Sequence, residues 1–314
     1  MKAPRDWTLL GRPIGEWLFL LLMAASGANS LRELSPAAMH GAAQWSVLIA
    51  DAIVGLTSLG VVLATLAGWK IGIRLLWFFA LAASFVAPMA TWAWGGAPAA
   101  DVVMAGLGGV AVSAGVVWYG RRRLHASITR RQWPMLLADH AAAADDFVAA
   151  INALSADTWS ARPSPDAWSP AEITEHLART YSQYAGESRG KDSLRVRLNP
   201  VKLLVARALV KPRLLAGAPF PKSRAPRALR PSAGPDTAAD GVALFRATGD
   251  ACLRDLGILV ERRPYKTLIH PYLGALPLYE VVRFAVQHIH HHRRQLLAGL
   301  STSRPRGNGN DVAS

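Results

Sequence analysis

The 314-residue chain is 51% hydrophobic, carries a formal charge of +14 at pH 7 and has a single cysteine, Cys252. One thiol excludes an internal disulfide and suits a reducing compartment. Residues 1–120 hold six Lys/Arg against five Asp/Glu, while residues 121–314 hold 29 against 16, which argues against one unit of uniform solvent preference.

Four long apolar stretches come first, at about 14–31, 45–69, 71–94 and 100–120. Each is near the ~20 residues that cross ~30 Å of hydrocarbon. A cleaved signal peptide accounts for only the first, and four buried helices in succession are a poor fit to a soluble domain. The expectation is a four-helix transmembrane bundle over residues 1–123. Lys2, Arg5 and Arg12 precede the first span, Lys70 and Arg74 flank the second turn, and Arg121, Arg122 and Arg123 follow the fourth. Only Arg32 lies in the opposite loops, so both ends of this unit should be cytosolic, in a multi-pass protein of the inner (cytoplasmic) membrane. Trp17, Trp45, Trp69, Trp92, Trp94 and Trp118 near the span ends fit an aromatic belt. Asp51 in the second span reads either as an ion or ligand site or as a carboxyl facing the bundle within reach of Arg32. Pro88 is expected to kink the third span, and Gly106, Gly108, Gly109 and Gly115 to permit close packing of the fourth.

After the basic stop at Arg121, Arg122 and Arg123, a helical pattern runs from about Pro134 to Leu154. A polar connection from Thr158 to Ala167 leads to a capping box, Ser169-Pro170-Ala171-Glu172, with proline at the first helical position. Ile173, His176, Leu177, Thr180, Tyr181 and Tyr184 then follow helical spacing and place His176 on a buried stripe. Residues 189–230 hold twelve Lys/Arg and one acid, Asp192, and form the first part of a basic insert over 189–235. Within it Asn199-Pro200 starts a short amphipathic helix with Val201, Leu204, Val205, Ala208 and Leu209 on its apolar face. Such a helix either lies on anionic lipid headgroups or packs on the bundle with its lysines solvated. No nucleic-acid recognition motif accompanies the basic charge. Ala218 to Pro235 reads as a surface loop. A third helix follows at about 238–261, and His270-Pro271-Tyr272-Leu273-Gly274 reads as a connection. The last helix spans about 278–300, and a polar tail over 301–314 is expected to be disordered.

On that last helix His288 and His292 are one turn apart, the spacing that lets two imidazoles hold one metal ion. Val281, Phe284 and Ala285 lead into His288 along the apolar face, so both rings should point inward. A lone histidine such as His176 is ordinarily a hydrogen-bonded core imidazole. The distant pair is what makes it a third candidate ligand.

Residues 131–300 resemble the DinB-like (DinB/YfiT-like) metalloenzyme domain, a four-helix bundle. Three patches carry the resemblance: Trp168-Ser169-Pro170-Ala171-Glu172-Ile173 with His176-Leu177; His270-Pro271 with Gly274 and Leu276; and His288, His291, His292 and Gln295. Ile289 and Arg294 depart from the pattern, standing where glutamate and glycine are frequent. The membrane unit lies outside the resemblance and is only loosely similar, in layout, to DoxX-like proteins. The fold expected is therefore all-α, with a transmembrane four-helix bundle and a DinB-like four-helix bundle over 124–300.

Position by position, the resemblance implies metal ligands at His176, His288 and His292, with His270 and His291 as neighbouring histidines able to support the site or contact substrate. Tyr181 and Tyr184 are further candidate polar groups there. Three neutral imidazoles leave the +2 charge of a divalent metal undiminished and a coordination position open. Zinc is expected first, with nickel, iron or manganese also suited to imidazole. The resemblance implies a metal-dependent transferase using a low-molecular-weight thiol, or a hydrolase, acting on a small molecule. Expected partners are membrane lipids and that small-molecule substrate, with no specific nucleic acid and a dimer as the oligomeric state to test. Two other classes stay open: a non-catalytic module stapled by its metal that binds or senses a small molecule, and a membrane-surface interaction protein.

Overall fold

The computed structural model describes residues 8–9, 12–32, 42–67, 69, 71–86, 88–89, 98–194, 199–221 and 224–302. Lys2, Arg5, Lys70, Trp92, Trp94 and the tail from 303 onward lie outside the described residues. The chain divides into two compact units, Met1–Arg131 and Gln132–Ser314.

The first unit opens with a two-residue antiparallel pair, β1 (Thr8–Leu9) and β2 (Arg12–Pro13). It continues with α1 (Ile14–Arg32), α2 (Ala42–Ala67) and α3 (Ile71–Leu81), the last extended by a wider turn over Ala82–Val86. The next helix, α4 (Ala99–Asn152), starts in this unit. Phe19, Met23, Val54, Val61, Leu76, Phe79, Val117 and Leu124 pack into its core. Ser58, Thr65, Ser84 and Ser113 are buried beside them, while Leu21, Leu56, Leu63, Phe78 and Met104 are each more than half exposed. Small polar groups inside and large apolar groups outside invert the usual soluble arrangement. Three of these hydroxyls have partners: Ser84 Oγ meets Ser113 Oγ at 2.9 Å, and Thr65 donates to the Val61 carbonyl at 2.7 Å.

Among the described residues two helices are long and apolar enough to cross a membrane, over Leu48–Ala67 and within Ala99–Asn152. The expected first and third spans correspond to shorter apolar helices, Trp17–Ala28 and Ile71–Val86, so the four-span count is not reproduced. Among the described residues only part of the expected glycine packing is present. A Cβ on Gly109 would stand 3.0 Å from the Ala83 carbonyl oxygen, whereas one on Gly108 or Gly115 would meet nothing within 4 Å.

A second departure is the continuity of α4. In sequence the fourth stretch reads as stopping at Arg121, Arg122 and Arg123 and a helical pattern as starting at about Pro134, but one helix runs through both and Pro134 lies inside it. Leu124, Ala126, Ile128 and Thr129 remain buried beyond the arginines, and Arg, Leu and Ala are good helix formers with no glycine to stop them. The division between units falls just before Pro134, whose missing N–H removes one rung of the helical ladder.

In the second unit four helices share one core: the end of α4, α6 (Pro170–Ser188), α9 (Ala238–Arg262) and α10 (Leu278–Thr302). Phe147 of α4 meets Phe245 of α9 at 5.0 Å between ring centroids, and Tyr181 of α6 meets the same ring at 5.8 Å. Arg293 of α10 donates to the Asp146 carbonyl of α4 at 3.3 Å. A one-turn helix, α5 (Ala156–Ser160), precedes α6, and α7 (Pro200–Val205) and α8 (Lys211–Leu215) lie in the basic insert. The capping box at α6 is present: the Ser169 hydroxyl accepts from Glu172 N at 3.2 Å, and Glu172 accepts from Ser169 N at 2.8 Å. Burial works to raise the Glu172 pKa, but hydrogen bonds from Arg162 and Ser169 outweigh it and hold the carboxyl below its ordinary range.

One element breaks the helical pattern. Thr267–His270 (β3) pairs antiparallel with Gly274–Pro277 (β4), with Leu268 opposite Leu276 and both fully buried. The expected connection at His270–Gly274 is thus the turn of a hairpin, closed by Gly274 at φ +73°, a conformation that favours glycine.

Candidate metal centre

His176 projects from α6, and His288 and His292 project from α10 one turn apart. They are 5%, 9% and 4% exposed, and one ring nitrogen from each lies within 4.8 Å of the other two. His288 Nε2 is 3.2 Å from His176 Nε2 and 3.0 Å from His292 Nε2. Donors of a tetrahedral ion with metal–nitrogen bonds of about 2.0–2.1 Å are about 3.3 Å apart, so two of the three separations already match.

The opposite ring nitrogens fix the tautomers. His176 Nδ1 donates to the Leu229 carbonyl at 2.7 Å, and His292 Nδ1 donates to Gln295 Oε1 at 2.8 Å. Both Nε2 atoms are then bare acceptors facing His288 Nε2. That atom carries at most one proton, so at least one of the two contacts, about 3 Å long, has no proton of its own to bridge the nitrogens. Protonating the rings is opposed by burial, the largest cause holding all three histidines below their ordinary pKa, with the mutual charges of His176, His291 and His292 next for His288. A cation at the centre resolves this conflict, and the donor set therefore fits a divalent metal. Among the described residues the cluster contains three donors of the His, Cys, Asp and Glu type.

Rings wall the site. Trp168 lies 4.9 Å from His176 and stacks on His292 at 6.4 Å, while Phe220 stacks on His288 at 5.7 Å and on His291 at 4.8 Å. Phe284 packs against both His288 and His270. His291 Nε2 accepts from Gln295 Nε2 at 3.1 Å, so its own proton sits on Nδ1. His270 Nδ1 accepts from the backbone N–H of Tyr272 and Leu273 at 3.2 and 3.1 Å, leaving its proton on Nε2 as a donor. Burial pushes the His270 pKa down to about 3.

The tyrosines make their contacts elsewhere. The Tyr181 hydroxyl shares a hydrogen bond of 2.6 Å with His140 Nε2 and its ring packs on Phe245, while Tyr184 is buried with Cys252 and Glu187 as its charge neighbours. Three contributors escaped the sequence reading: the Leu229 carbonyl, the Phe220 ring and the Trp168 face. The expected surface loop over 218–235 supplies two of them. It is pinned to α6 by Ser232 and Gly234 N–H donors to Glu175 at 2.8 and 2.9 Å, and it buries Leu229. Gln295 had a visible signal, because position i+3 on a helix faces His292.

Four helices around one core, with three buried imidazoles converging from two of them, define a bundle-type domain whose core could hold a metal ion. The family profile of the DinB superfamily matches residues 140–296, half of the chain and all three histidines, and the chain belongs to that superfamily. Domains of this kind commonly bind a divalent metal. No curated protein and no solved structure matches the chain.

Proposed function

We propose that the chain is a membrane-anchored metalloenzyme of the cytosolic face, a transferase of the thiol S-transferase type or a hydrolase acting on a small molecule. The observation that carries this reading is the donor set: three neutral imidazoles without a fourth side-chain donor among the described residues. A metal used only as a staple is ordinarily closed by a fourth ligand; an enzyme keeps that position for water or substrate. When bound, a divalent ion supplies undiminished positive charge that acidifies a ligand water or thiol near neutrality.

The protein's own groups do the rest. The Leu229 carbonyl and Gln295 hold the Nδ1 protons and so aim the Nε2 lone pairs at one point. Trp168, Phe220 and Phe284 exclude bulk water and leave an apolar wall for a hydrophobic substrate. In this reading His270, with its proton on Nε2, donates a hydrogen bond to a substrate atom; its ring packs on Phe284, which also packs on His288.

Anchoring is supported by the inverted first unit and its two apolar helices. At the end of the expected fourth span Arg121, Arg122 and Arg123 stand over Trp77, Trp118 and Tyr119 at 5.9, 4.5 and 4.8 Å, a basic and aromatic band suited to a headgroup layer. Cobalt substitution of the full-length protein tests the chemistry. A low-molecular-weight thiol should introduce a sulfur-to-metal charge-transfer band if the transferase reading holds. If the cobalt spectrum ignores thiols but responds to pH, hydrolysis is the reading that stands; if it responds to neither, both fall.

A further inference from the structure

In the basic insert α7, the wider turn Ala206–Val210 and α8 follow one another without a break. One stripe of this segment rests on the domain: Leu203, Ala206 and Val210 are partly covered and Leu214 is buried. The opposite stripe faces out, with Val201, Leu204, Val205 and Leu209 exposed by 66%, 68%, 46% and 62%. The apolar face legible in the sequence is therefore the outward one. A segment stabilised only by its own domain would turn these aliphatic side chains inward.

Charge selects the occupant. Lys202, Arg207 and Arg213 are exposed on the same segment, and no Asp or Glu occurs between Asp192 and Asp236. Lys211 does not contribute, because Glu280 holds it at 2.9 Å. A second copy seated on this face would set basic stripe against basic stripe. An anionic bilayer surface satisfies both features, taking aliphatic side chains into the acyl boundary and ammonium and guanidinium groups among phosphates.

We infer that residues 199–215 form an in-plane docking helix for anionic lipid, with Val201, Leu204, Val205 and Leu209 inserted. The inference needs no metal at the histidines, so it stands or falls separately from the enzymatic reading.

The test uses the full-length chain carrying Leu204→Cys, labelled with an environment-sensitive fluorophore. Buried Cys252 does not compete for the label. The protein is reconstituted into phosphatidylcholine vesicles with and without phosphatidylglycerol, using acyl-chain quenchers. Leu209→Cys serves as a second inserted position, and Ile258→Cys, 47% exposed on α9, as an outside reference. Both helix positions should shift to the blue and be quenched by the acyl-chain probe in acidic vesicles, while Ile258 is not. Lys202→Glu with Arg213→Glu should reverse the effect, each lost basic residue weakening the attraction about fivefold. Equal quenching with and without phosphatidylglycerol overturns the choice of anionic lipid. Shielding from aqueous quenchers without acyl-chain quenching assigns the face to a protein and overturns the inference.

Discussion

Gln295 spends both ends of its amide on histidines, accepting from His292 Nδ1 and donating to His291 Nε2. Gln295→Ala should therefore release the orientation of His292 and weaken metal affinity by about 10–100-fold while leaving the fold intact, as measured by competition with a chelator. An unchanged affinity would reduce Gln295 to a surface contact. His140 makes a second residue-scale prediction. Burial, the largest cause, takes its pKa to about 4 from an ordinary 6.5, with Asp250 opposing. A depressed histidine favours the folded state fully above pH 6.5, and that contribution is lost as pH falls toward 4, about 3 kcal/mol over the window. His140→Gln should flatten the acid slope of thermal stability relative to wild type between pH 6.5 and 4. Identical slopes would show that Tyr181–His140 is not a source of acid sensitivity. The triad was legible at this scale because helical spacing put His288 and His292 on one face and His176 on a core stripe. Tyr181 shares that stripe, yet its contacts go to His140 and to Phe245 of α9, since spacing says which side chains are buried but not against which neighbour.

At the scale of elements, the insert loop is part of the site, and Gly234 lets it pass close to the start of α6. It sits at φ +78°, and a Cβ there would come 2.5 Å from the Ala171 backbone carbon at the start of α6. Gly234→Ala should displace the loop that brings Leu229 to His176, lowering stability by more than ~1 kcal/mol and metal affinity with it. Chemical denaturation and chelator competition would both have to change; a variant with wild-type values would detach the loop from the site. The capping box was readable because Ser-Pro-x-Glu is a local signal, and it stands as expected. The β3–β4 hairpin was not, because its only local mark is Gly274 and its pairing depends on buried Leu268 and Leu276 coming together. Likewise the amphipathic segment was visible in the sequence, but not which of its faces the domain would leave outside.

For the whole molecule, two units of opposite surface character follow from the uneven distribution of charge along the chain. The outward Leu21, Leu56, Leu63 and Phe78 predict that the protein stays with the membrane pellet under alkaline carbonate extraction. Release into the supernatant would mean that these side chains are covered by protein instead. The count of four spans is met in part: among the described residues Leu48–Ala67 and the start of α4 are long and apolar enough to cross, and composition alone does not say where a helix stops. The central claim concerns the three imidazoles, and elemental analysis of the purified full-length protein tests it most directly. The account predicts about one divalent ion per chain in the wild type and its loss in His288→Ala, with the variant still folded. A wild-type protein without stoichiometric metal, or a His288→Ala variant that keeps it, would contradict the assignment.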